Sequence, residues 1–211
     1  AHFHTVEINY TFYRMPTDNT TSAWLAQAPP DFMYTLKAPQ RITHIQKLQG
    51  SEESLAMFVK AAGVLEDHLA CLLFQLPPTF RCDLGRLEKF LAILPRDLRA
   101  AFEFRHDSWL TEPVYELLAA HGVALCIADF GDKTTPVRAT ARHGYFRLRD
   151  EGYTPADLER WAAAIAEQTA AWDDVCVYFK HEEEGKGPEF ARAFIEIVNA
   201  RAGVKTSGVI S

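Results

Sequence analysis

Short apolar runs alternate with amphipathic segments along most of the chain. Seven of these runs predict strands, and they occupy residues 5–9, 34–38, 71–76, 101–105, 123–129, 145–149 and 175–181. Several are apolar at nearly every position, which is typical of parallel strands whose outer face is covered by helices. The pattern therefore indicates buried strands of a parallel sheet.

Between the strands, apolar residues recur at three- and four-residue spacing, which predicts helices. These helices span residues 22–28, 51–68, 84–94, 112–120, 154–172 and 187–202. Thr154, Pro155 and Asp157 form a helix-start signal, and Gly122 is a stop signal after the helix at 112–120. The link at residues 130–144 has no helical pattern and is predicted to be a loop.

This alternation predicts an α/β domain built from βα units. An open doubly wound sheet and a closed barrel are both compatible with alternation alone. Seven strands exceed most doubly wound sheets and fall one short of a (β/α)₈ barrel, and the chain begins at Ala1, directly before the first strand. We therefore expect one TIM-type (β/α)₈ barrel over residues 1–203 that lacks its first βα unit, with a flexible tail at 204–211.

Composition narrows the class of protein. The 211 residues are 48% apolar and 24% charged, as in ordinary soluble globular proteins. A net charge of −6 disfavours a protein that coats nucleic acid, although a local basic cleft is compatible with it. No apolar stretch reaches the roughly 18–20 residues of a membrane span. Four cysteines without metal-ligand spacing favour a reducing, cytoplasmic compartment, and the oligomeric state is left open.

Charged residues occur inside strands that are otherwise strongly apolar. Glu7 and Glu103 lie within predicted strands, where a charge is costly unless it is paired or binds something. Arg105 and Arg147 are natural partners for them. The carboxylates therefore fit either a network of buried ion pairs or acid, base or metal-ligand chemistry with shifted pKa values.

Polar residues also gather where the predicted strands end, which is where (β/α)₈ barrels keep their catalytic groups. The candidate catalytic residues are Glu7, Glu103, His106 and Asp129. The candidate substrate-binding residues at the same end are Asn9, Tyr13, Lys37, His44, Gln75, Arg105, Trp109, Arg147 and Lys180. The cationic members are expected to neutralise an anionic group, and Tyr13 and Trp109 to stack on a ring or sugar, although a lone tryptophan is more often a packing residue.

Two further sites are candidates at this end. Arg149, Lys180 and the Gly-Lys-Gly at 185–187 would place a phosphate at the last two loops, although no Walker motif is present. A divalent-metal site of mixed ligands could combine residues that follow different strands, namely His44, His106, His181, Glu7, Glu103 and Asp129. No local ligand motif such as HExxH supports that metal site.

Six segments resemble one known family, the YecE-like family or domain of unknown function 72. They are VEINYTFYRMP, LKAPQRITH, FQLPPTF, FEFRHDSW, YFRLRDEGY and VYFKHEEEGKGPEFA, at residues 6–16, 36–44, 74–80, 102–109, 145–153 and 177–191. The resemblance implies a TIM-type barrel, similar in architecture to endonuclease IV-like and xylose isomerase-like barrels, and implies no established activity. Family members usually carry a strand and helix before TVEIN, and many read RLHG where residues 147–150 read RLRD.

These observations favour an enzyme that acts on a small anionic or phosphate- or sugar-bearing substrate at the C-terminal mouth of the barrel. If the carboxylates and His106 hold a divalent metal, the sharper hypothesis is metal-assisted phosphoester hydrolysis. The alternative is a non-catalytic module that binds an anion or nucleic acid. For nucleic acid this rests on fold analogy alone.

Overall fold

A computed structural model describes residues 3–130, 133–150, 152–179 and 186–202. The strands are β1 (Thr5–Ile8), β2 (Met33–Lys37), β3 (Leu69–Gln75), β4 (Ala100–Glu103), β5 (Ala124–Phe130), β6 (Lys133–Thr134), β7 (His143–Leu148) and β8 (Asp174–Phe179). The α-helices are α1 (Tyr10–Tyr13), α2 (Asp18–Gln27), α3 (Glu52–Gly63), α4 (Leu84–Ile93), α5 (Glu112–Ala120), α6 (Pro155–Ala166) and α7 (Lys186–Ala202). A π-helical turn at Arg41–Ile45 and 3₁₀ turns at Glu66–His68 and Asp107–Trp109 complete the described elements.

The strand order identifies the sheet as a barrel. The path runs β1-β2-β3-β4-β5-β7-β8, with every neighbouring pair parallel. A doubly wound sheet reverses direction once along its strand order, whereas this order never reverses. The TIM-type barrel expected from the sequence is therefore confirmed. Among the described residues, no backbone pairing joins β1 to β8, so the barrel stays open at that one seam.

Side chains of complementary size fill the interior of the barrel. Strands β3, β4 and β5 contribute small residues, among them Cys71, Ala101 and Cys126, and β7 and β8 contribute Tyr145 and Tyr178. Small groups facing large ones fill the space at the density of a protein core. The interior of the barrel is therefore a packed core, and it lies below the C-terminal mouth.

Two apolar layers lie between the strands and the helices. One joins β2–β5 to α3, α4 and α5, and the other joins β7 and β8 to α6 and α7. Local signals set the helix ends as expected: Thr154 and Asp157 form a capping box, and Gly122 follows α5 with a φ of 64°. No helix in the described ranges is long and apolar enough to cross a bilayer.

Several boundaries differ from the expectation. Helix α1 directly follows β1 and was not predicted, because its four residues are too few to show a period. Helix α2 begins at Asp18 rather than residue 22, because the Thr17 hydroxyl accepts from the Thr20 amide at 3.3 Å. Helices α3 and α6 end before residues 68 and 172, and the predicted loop at 130–144 contains β6, which pairs antiparallel with β5.

Gly144 in β7 provides a test of the outer packing. A Cβ at this position would approach the Trp172 ring at 3.0 Å and Val175 Cγ1 at 3.1 Å. Both neighbours are held in the apolar layer under α6 and α7, so they have little room to move. We expect Gly144→Ala to lower the free energy of unfolding by about 1–3 kcal/mol, the usual range for overpacking, in urea titrations.

The matched control is Gly63→Ala at the end of α3, where an added Cβ meets no atom within 4 Å. There alanine is expected to be neutral or to stabilise by up to about 1 kcal/mol, because it lowers the entropy of the unfolded chain. Equal effects of the two substitutions would contradict the packing account.

Candidate functional site

A ring of polar side chains lies above the apolar interior, at the C-terminal ends of five strands. It consists of Glu7 on β1, Lys37 on β2, Gln75 on β3, Glu103 on β4 and Arg147 on β7. The strands are parallel, so their C-terminal ends meet at one end of the barrel. The structure therefore brings together five residues that the sequence suggested separately.

Arg147 is the centre of this ring. Its Nη2 donates to Glu7 Oε1 at 2.6 Å, and its Nη1 donates to Gln75 Oε1 at 3.2 Å. Nη1 also forms an ion pair and hydrogen bond with Glu103 Oε2, while Glu103 Oε1 is ion-paired with Arg105 Nε. One guanidinium thus joins β7 to β1, β3 and β4 across the barrel.

Two tyrosines support the ring from below. The Tyr145 hydroxyl donates to Glu7 Oε2 at 2.6 Å, so both oxygens of that carboxylate have partners. The Tyr178 hydroxyl shares hydrogen bonds with Thr5 at 3.0 Å and Thr35 at 2.8 Å. The contacts of Tyr145 with Glu7 and of Tyr178 with Thr5 cross the open seam, so side chains hold β1 to β7 and β8.

The arginines keep Glu103 ionised although its side chain is fully buried. Burial raises the pKa of Glu103, but Arg147 and Arg105 outweigh it, and the pKa lies below its usual range. The pKa of Arg147 is raised because Glu7 and Glu103 outweigh its desolvation. Glu103 has no surface to touch a substrate, so it positions Arg147 and Arg105. Of the two interpretations of the buried carboxylates, the ion-pair network is the one that fits Glu103.

Lys37 has a different environment from the arginines. Its Nζ lies 4.1 Å from the centroid of the Phe12 ring. Burial and the neighbouring Arg147 lower the pKa of Lys37 to about 8, against the opposing effect of Glu7 and Glu103. Its carbonyl accepts the Thr11 hydroxyl at 2.6 Å, which ties the end of β2 to α1. Lys37 is therefore a half-buried amine whose charge is poorly stabilised.

A cavity of about 840 Å³ opens beside the ring. Its lining includes Glu7, Asn9, Lys37, Arg147 and Arg149 from the C-terminal strand ends. This volume is in the usual range of small-molecule sites. The polar part of the cavity lies where barrel enzymes bind their substrates.

Exposed aromatic residues stand at one side of the cavity. Tyr10 and Tyr13 line it and are 47% and 73% exposed. Phe12, between them, packs edge-on against His44 at 4.9 Å between ring centroids. Burial, Lys37 and Arg105 together lower the pKa of His44. The expectation that Tyr13 offers a stacking surface is compatible with its exposure.

Trp109 requires a correction, because its side chain is 0% exposed. Its Nε1 donates to the Phe80 carbonyl at 2.7 Å, and its ring stacks on Phe104 with centroids 4.8 Å apart. A fully buried ring has no face left for a ligand. The structure places Trp109 in the core, as the packing interpretation had it.

The side chains of Asp129 and His106 form hydrogen bonds within the loops that follow their strands. Asp129 Oδ1 accepts the Arg149 amide at 2.7 Å, and Oδ2 accepts the Tyr153 hydroxyl. Ala124, Cys126 and Ala128 belong to the interior cluster, so Asp129 faces outward. His106 Nδ1 accepts the Ser108 amide at 3.1 Å and caps a 3₁₀ turn. These two residues join neither Glu7 nor Glu103 in the ring, which corrects the grouping of the four as one catalytic set.

The metal site expected from the sequence has no ligand set in the part of the chain that is described. There, no three His, Cys, Asp or Glu side chains lie close enough to share an ion. Glu7 and Glu103 face arginines, and His106 caps a turn. His181 lies outside the described residues, and so do Lys180 and Gly185 of the suggested phosphate site.

The sequence did not predict every residue of the site, and the structure gives some of the predicted residues a different role. Gln75 contacts Arg147, so it supports the guanidinium, while Asn9 is exposed at the cavity. Tyr145 was not predicted, although it lies two residues before Arg147 and therefore on the same face of β7. Tyr10 and Phe12 follow the first predicted strand but were given no role in the site, because no pattern predicts α1.

A sequentially ordered parallel barrel with a charged C-terminal mouth places this protein in the class of TIM-type barrels. Within that class, the chain belongs to the family described as "Protein of unknown function DUF72", whose model matches residues 1–208. The resemblance to the YecE-like family is thereby confirmed.

Relatives with curated sequences agree with this assignment. UPF0759 protein YunF of Bacillus subtilis is 25% identical over 238 residues, covering 94% of this chain and 84% of YunF. UPF0759 protein YecE of Escherichia coli K12 is 29% identical over 148 residues, covering 67% of this chain and 53% of YecE. The second match therefore spans about half the length of that relative.

Solved structures of the family share the fold. A DUF72 family protein of Thermotoga maritima matches with a TM-score of 0.79 and 26% identity, covering 93% of this chain and 85% of the other. A DUF72 family protein of Enterococcus faecalis matches with a TM-score of 0.80 and 20% identity, with the same coverage. At 20% identity the likeness shows the fold alone.

The ion-pair network predicts a non-additive effect on stability. Arg147→Met would leave Glu7 and Glu103 without their shared partner, and we expect it to lower the free energy of unfolding by about 3–5 kcal/mol at pH 7. Adding Glu7→Gln and Glu103→Gln to Arg147→Met should recover part of that loss, because the two carboxylates are then uncharged, and the ion pair that Arg105 loses with Glu103 limits the recovery. Urea unfolding of the single, double and triple variants measures the coupling.

Arg138→Met is the control, because it breaks only an exposed pair with Glu112 and should cost about 1 kcal/mol or less. If Arg147→Met fails to fold, Glu7→Gln with Glu103→Gln still reports on the network. A cost of Arg147→Met no greater than that of Arg138→Met would refute the central role of the guanidinium.

Acid should weaken the fold through Glu103. Its pKa is lowered in the folded protein, so the unfolded chain binds its proton more readily. The stabilisation is complete above the ordinary pKa of 4.5 and is lost as the pH falls through the lower folded value. We expect Glu103→Gln to reduce the slope of unfolding free energy against pH below 4.5, by up to about 1.4 kcal/mol per pH unit.

Urea titrations between pH 3 and pH 7 measure this slope. Glu112→Gln removes an exposed carboxylate and should leave the slope nearly unchanged. An identical slope in Glu103→Gln and the unchanged chain would show that this carboxylate is not stabilised by its arginines.

Proposed function

We propose that this protein is an enzyme that binds a small anionic substrate, such as a phosphate- or sugar phosphate-bearing compound, at the C-terminal mouth of the barrel. The observation that carries the proposal is the excess of cations around the cavity. Arg105, Arg147, Lys37 and Arg149 act on Glu103, and Glu7 is the second carboxylate of the interior. Among the described residues at this mouth, these four cations outnumber the two carboxylates, which leaves a positive field.

The arrangement of these charges supports an anion more than a cation. Both oxygens of Glu7 and both of Glu103 are engaged by Arg147, Arg105 or Tyr145. Lys37 and Arg149 line the cavity and both lie beside other cations. An anionic group at this place would relieve their mutual repulsion, and the partly dry walls strengthen the attraction.

Glu7 is the carboxylate we propose for proton transfer. It lines the cavity, whereas Glu103 is fully buried behind Arg147. A general acid or base must come within hydrogen-bond reach of its substrate. Of the two carboxylates only Glu7 lines the cavity, and a substrate would replace the Tyr145 hydroxyl or the Arg147 guanidinium at one of its oxygens. Glu103 and Gln75 would act indirectly, by holding the Arg147 guanidinium in place.

A catalytic zinc ion is usually held by three protein ligands, and no three His, Cys, Asp or Glu side chains among the described residues lie close enough to share an ion. We therefore propose the anion site without a zinc ion. We also propose a reducing, cytoplasmic compartment. It is supported by four free cysteines, of which Cys71, Cys126 and Cys176 are buried among apolar residues.

A second candidate is a non-catalytic module that captures single-stranded nucleic acid. The exposed rings of Tyr10 and Tyr13 favour it, because bases stack on aromatic side chains beside a cationic groove. The net charge of −6 weighs against it. Binding of a short oligothymidylate more tightly than pyrophosphate, lost in Tyr13→Ala, would support this second candidate.

Titration calorimetry with pyrophosphate tests the anion site. We expect Lys37→Met to weaken binding at least tenfold, because it removes a cation from the cavity wall. Lys60→Met changes the net charge equally but at a lysine 78% exposed beside Asp18, and should change the Kd less than about twofold. Equal losses in both variants, or no binding to the unchanged chain, would contradict an anion site at this mouth.

A further inference from the structure

The amine of Lys37 has no polar partner within the part of the chain that the structure describes. Among the described residues, Nζ makes neither a hydrogen bond nor an ion pair, and its contact is the face of Phe12 at 4.1 Å. The carboxylates nearby are already bound: Arg147 and Tyr145 take both oxygens of Glu7. A lysine held only to anchor structure would ordinarily be paired with such a carboxylate.

The position of this amine suits covalent chemistry. Lys37 ends β2 at the C-terminal mouth, and its side chain lines the 840 Å³ cavity. The Thr11 hydroxyl donates to the Lys37 carbonyl at 2.6 Å and to the Ile8 carbonyl at 3.0 Å, which fixes the backbone from which the side chain extends. The amine is thus held by rigid elements, in contact with space that a small molecule can enter.

From this geometry we infer that Lys37 is a nucleophilic amine that forms an imine with the carbonyl carbon of a small anionic aldehyde or ketone. The inference rests on the proposed function and names the substrate class of that site. Arg149 and Arg147, which line the same cavity, would hold the anionic group while Nζ reaches the carbonyl.

The chemical step balances without a further reagent. The neutral amine attacks the carbonyl carbon to form a C–N bond, and one of its two N–H protons passes through solvent to the carbonyl oxygen to give a carbinolamine. A proton from solvent then joins the hydroxyl, the C–O bond breaks and one water leaves. The product is a protonated imine, whose C=NH⁺ nitrogen keeps the second N–H proton or returns it to solvent. No oxidant or reductant takes part, and Lys37 is regenerated when water adds back.

The charges around Lys37 support this chemistry at neutral pH. Burial, Arg147 on β7 and Arg149 beyond it lower the pKa of Lys37 to about 8, against the smaller opposing effects of Glu7 on β1 and Glu103 on β4. At pH 7 about a tenth of such an amine is neutral, compared with about 0.03% for a lysine with a pKa of 10.5. Only the neutral form attacks a carbonyl, so Lys37 begins with a large advantage.

Reductive trapping tests the inference on the full chain. The protein is mixed with glyoxylate and sodium cyanoborohydride, which at neutral pH reduces an imine at lysine to a carboxymethyl amine and spares the free aldehyde, and peptide mass spectrometry locates the adduct. At pH 7 we expect Lys37 to be labelled at least tenfold faster than Lys60, which is 78% exposed. The rate at Lys37 should level off near pH 8, whereas an ordinary lysine continues to gain reactivity towards its pKa of 10.5.

Two comparisons distinguish imine formation at a reactive Lys37 from the labelling of any lysine that solvent can reach. Lys37→Arg removes the adduct at that position, and Lys60→Arg leaves the labelling of Lys37 within about twofold. Saturating pyrophosphate should slow labelling by glyoxylate at least fivefold, because both anions use the same cations. Neutral glycolaldehyde at the same concentration should label Lys37 at least fivefold more slowly than glyoxylate.

The two proposals fail separately. Labelling of Lys37 no faster than that of Lys60, in a protein that binds pyrophosphate, overturns the imine inference and leaves the anion site standing. Fast labelling of Lys37 in a protein that does not bind pyrophosphate supports the reactive amine and overturns the anion site. Equal labelling by glyoxylate and glycolaldehyde overturns the anionic part of the inferred substrate.

Discussion

The Arg147 guanidinium is the interaction on which the mouth of this barrel depends. It bonds to side chains of β1, β3 and β4 from its own strand β7, and so replaces apolar packing in the top layer of the core. A buried ion pair is weak support for stability in general, but removing one partner from a network this dry orphans the others. Arg147 is therefore the partner that Glu7 and Glu103 share, while Tyr145 and Arg105 hold their other oxygens.

The same guanidinium also shapes the electrostatic environment of Lys37. Because Arg147 and Arg105 satisfy the buried carboxylates, Lys37 is left beside like charges and an aromatic ring. Glu7 and Glu103 are bound by these arginines, and their effect on the pKa of Lys37 is smaller than that of burial and Arg147. The Lys37 side chain also lines the cavity.

Side-chain contacts between β1 and strands β7 and β8 also span the open seam of the barrel. Backbone hydrogen bonds join each neighbouring strand from β1 to β8 along the path, but the described residues show none between β8 and β1. Glu7 with Arg147 and Tyr145, and Thr5 with Tyr178, span that gap instead. Side-chain contacts therefore bridge the barrel where the described backbone does not, and Glu7 and Arg147 belong both to this bridge and to the cavity lining.

The sequence by itself determined the strands, most helices, the TIM-type class and the end of the barrel at which polar residues gather, because hydrophobic period and capping signals are local. Tertiary structure alone decided that Trp109 is buried, that Asp129 faces outward and that Arg147 bonds to two carboxylates far away along the chain. The reason is physical. Strand β5 is apolar on both faces, so no alternation shows which side chains point inward, and partners 44 and 140 residues apart meet only when the barrel forms.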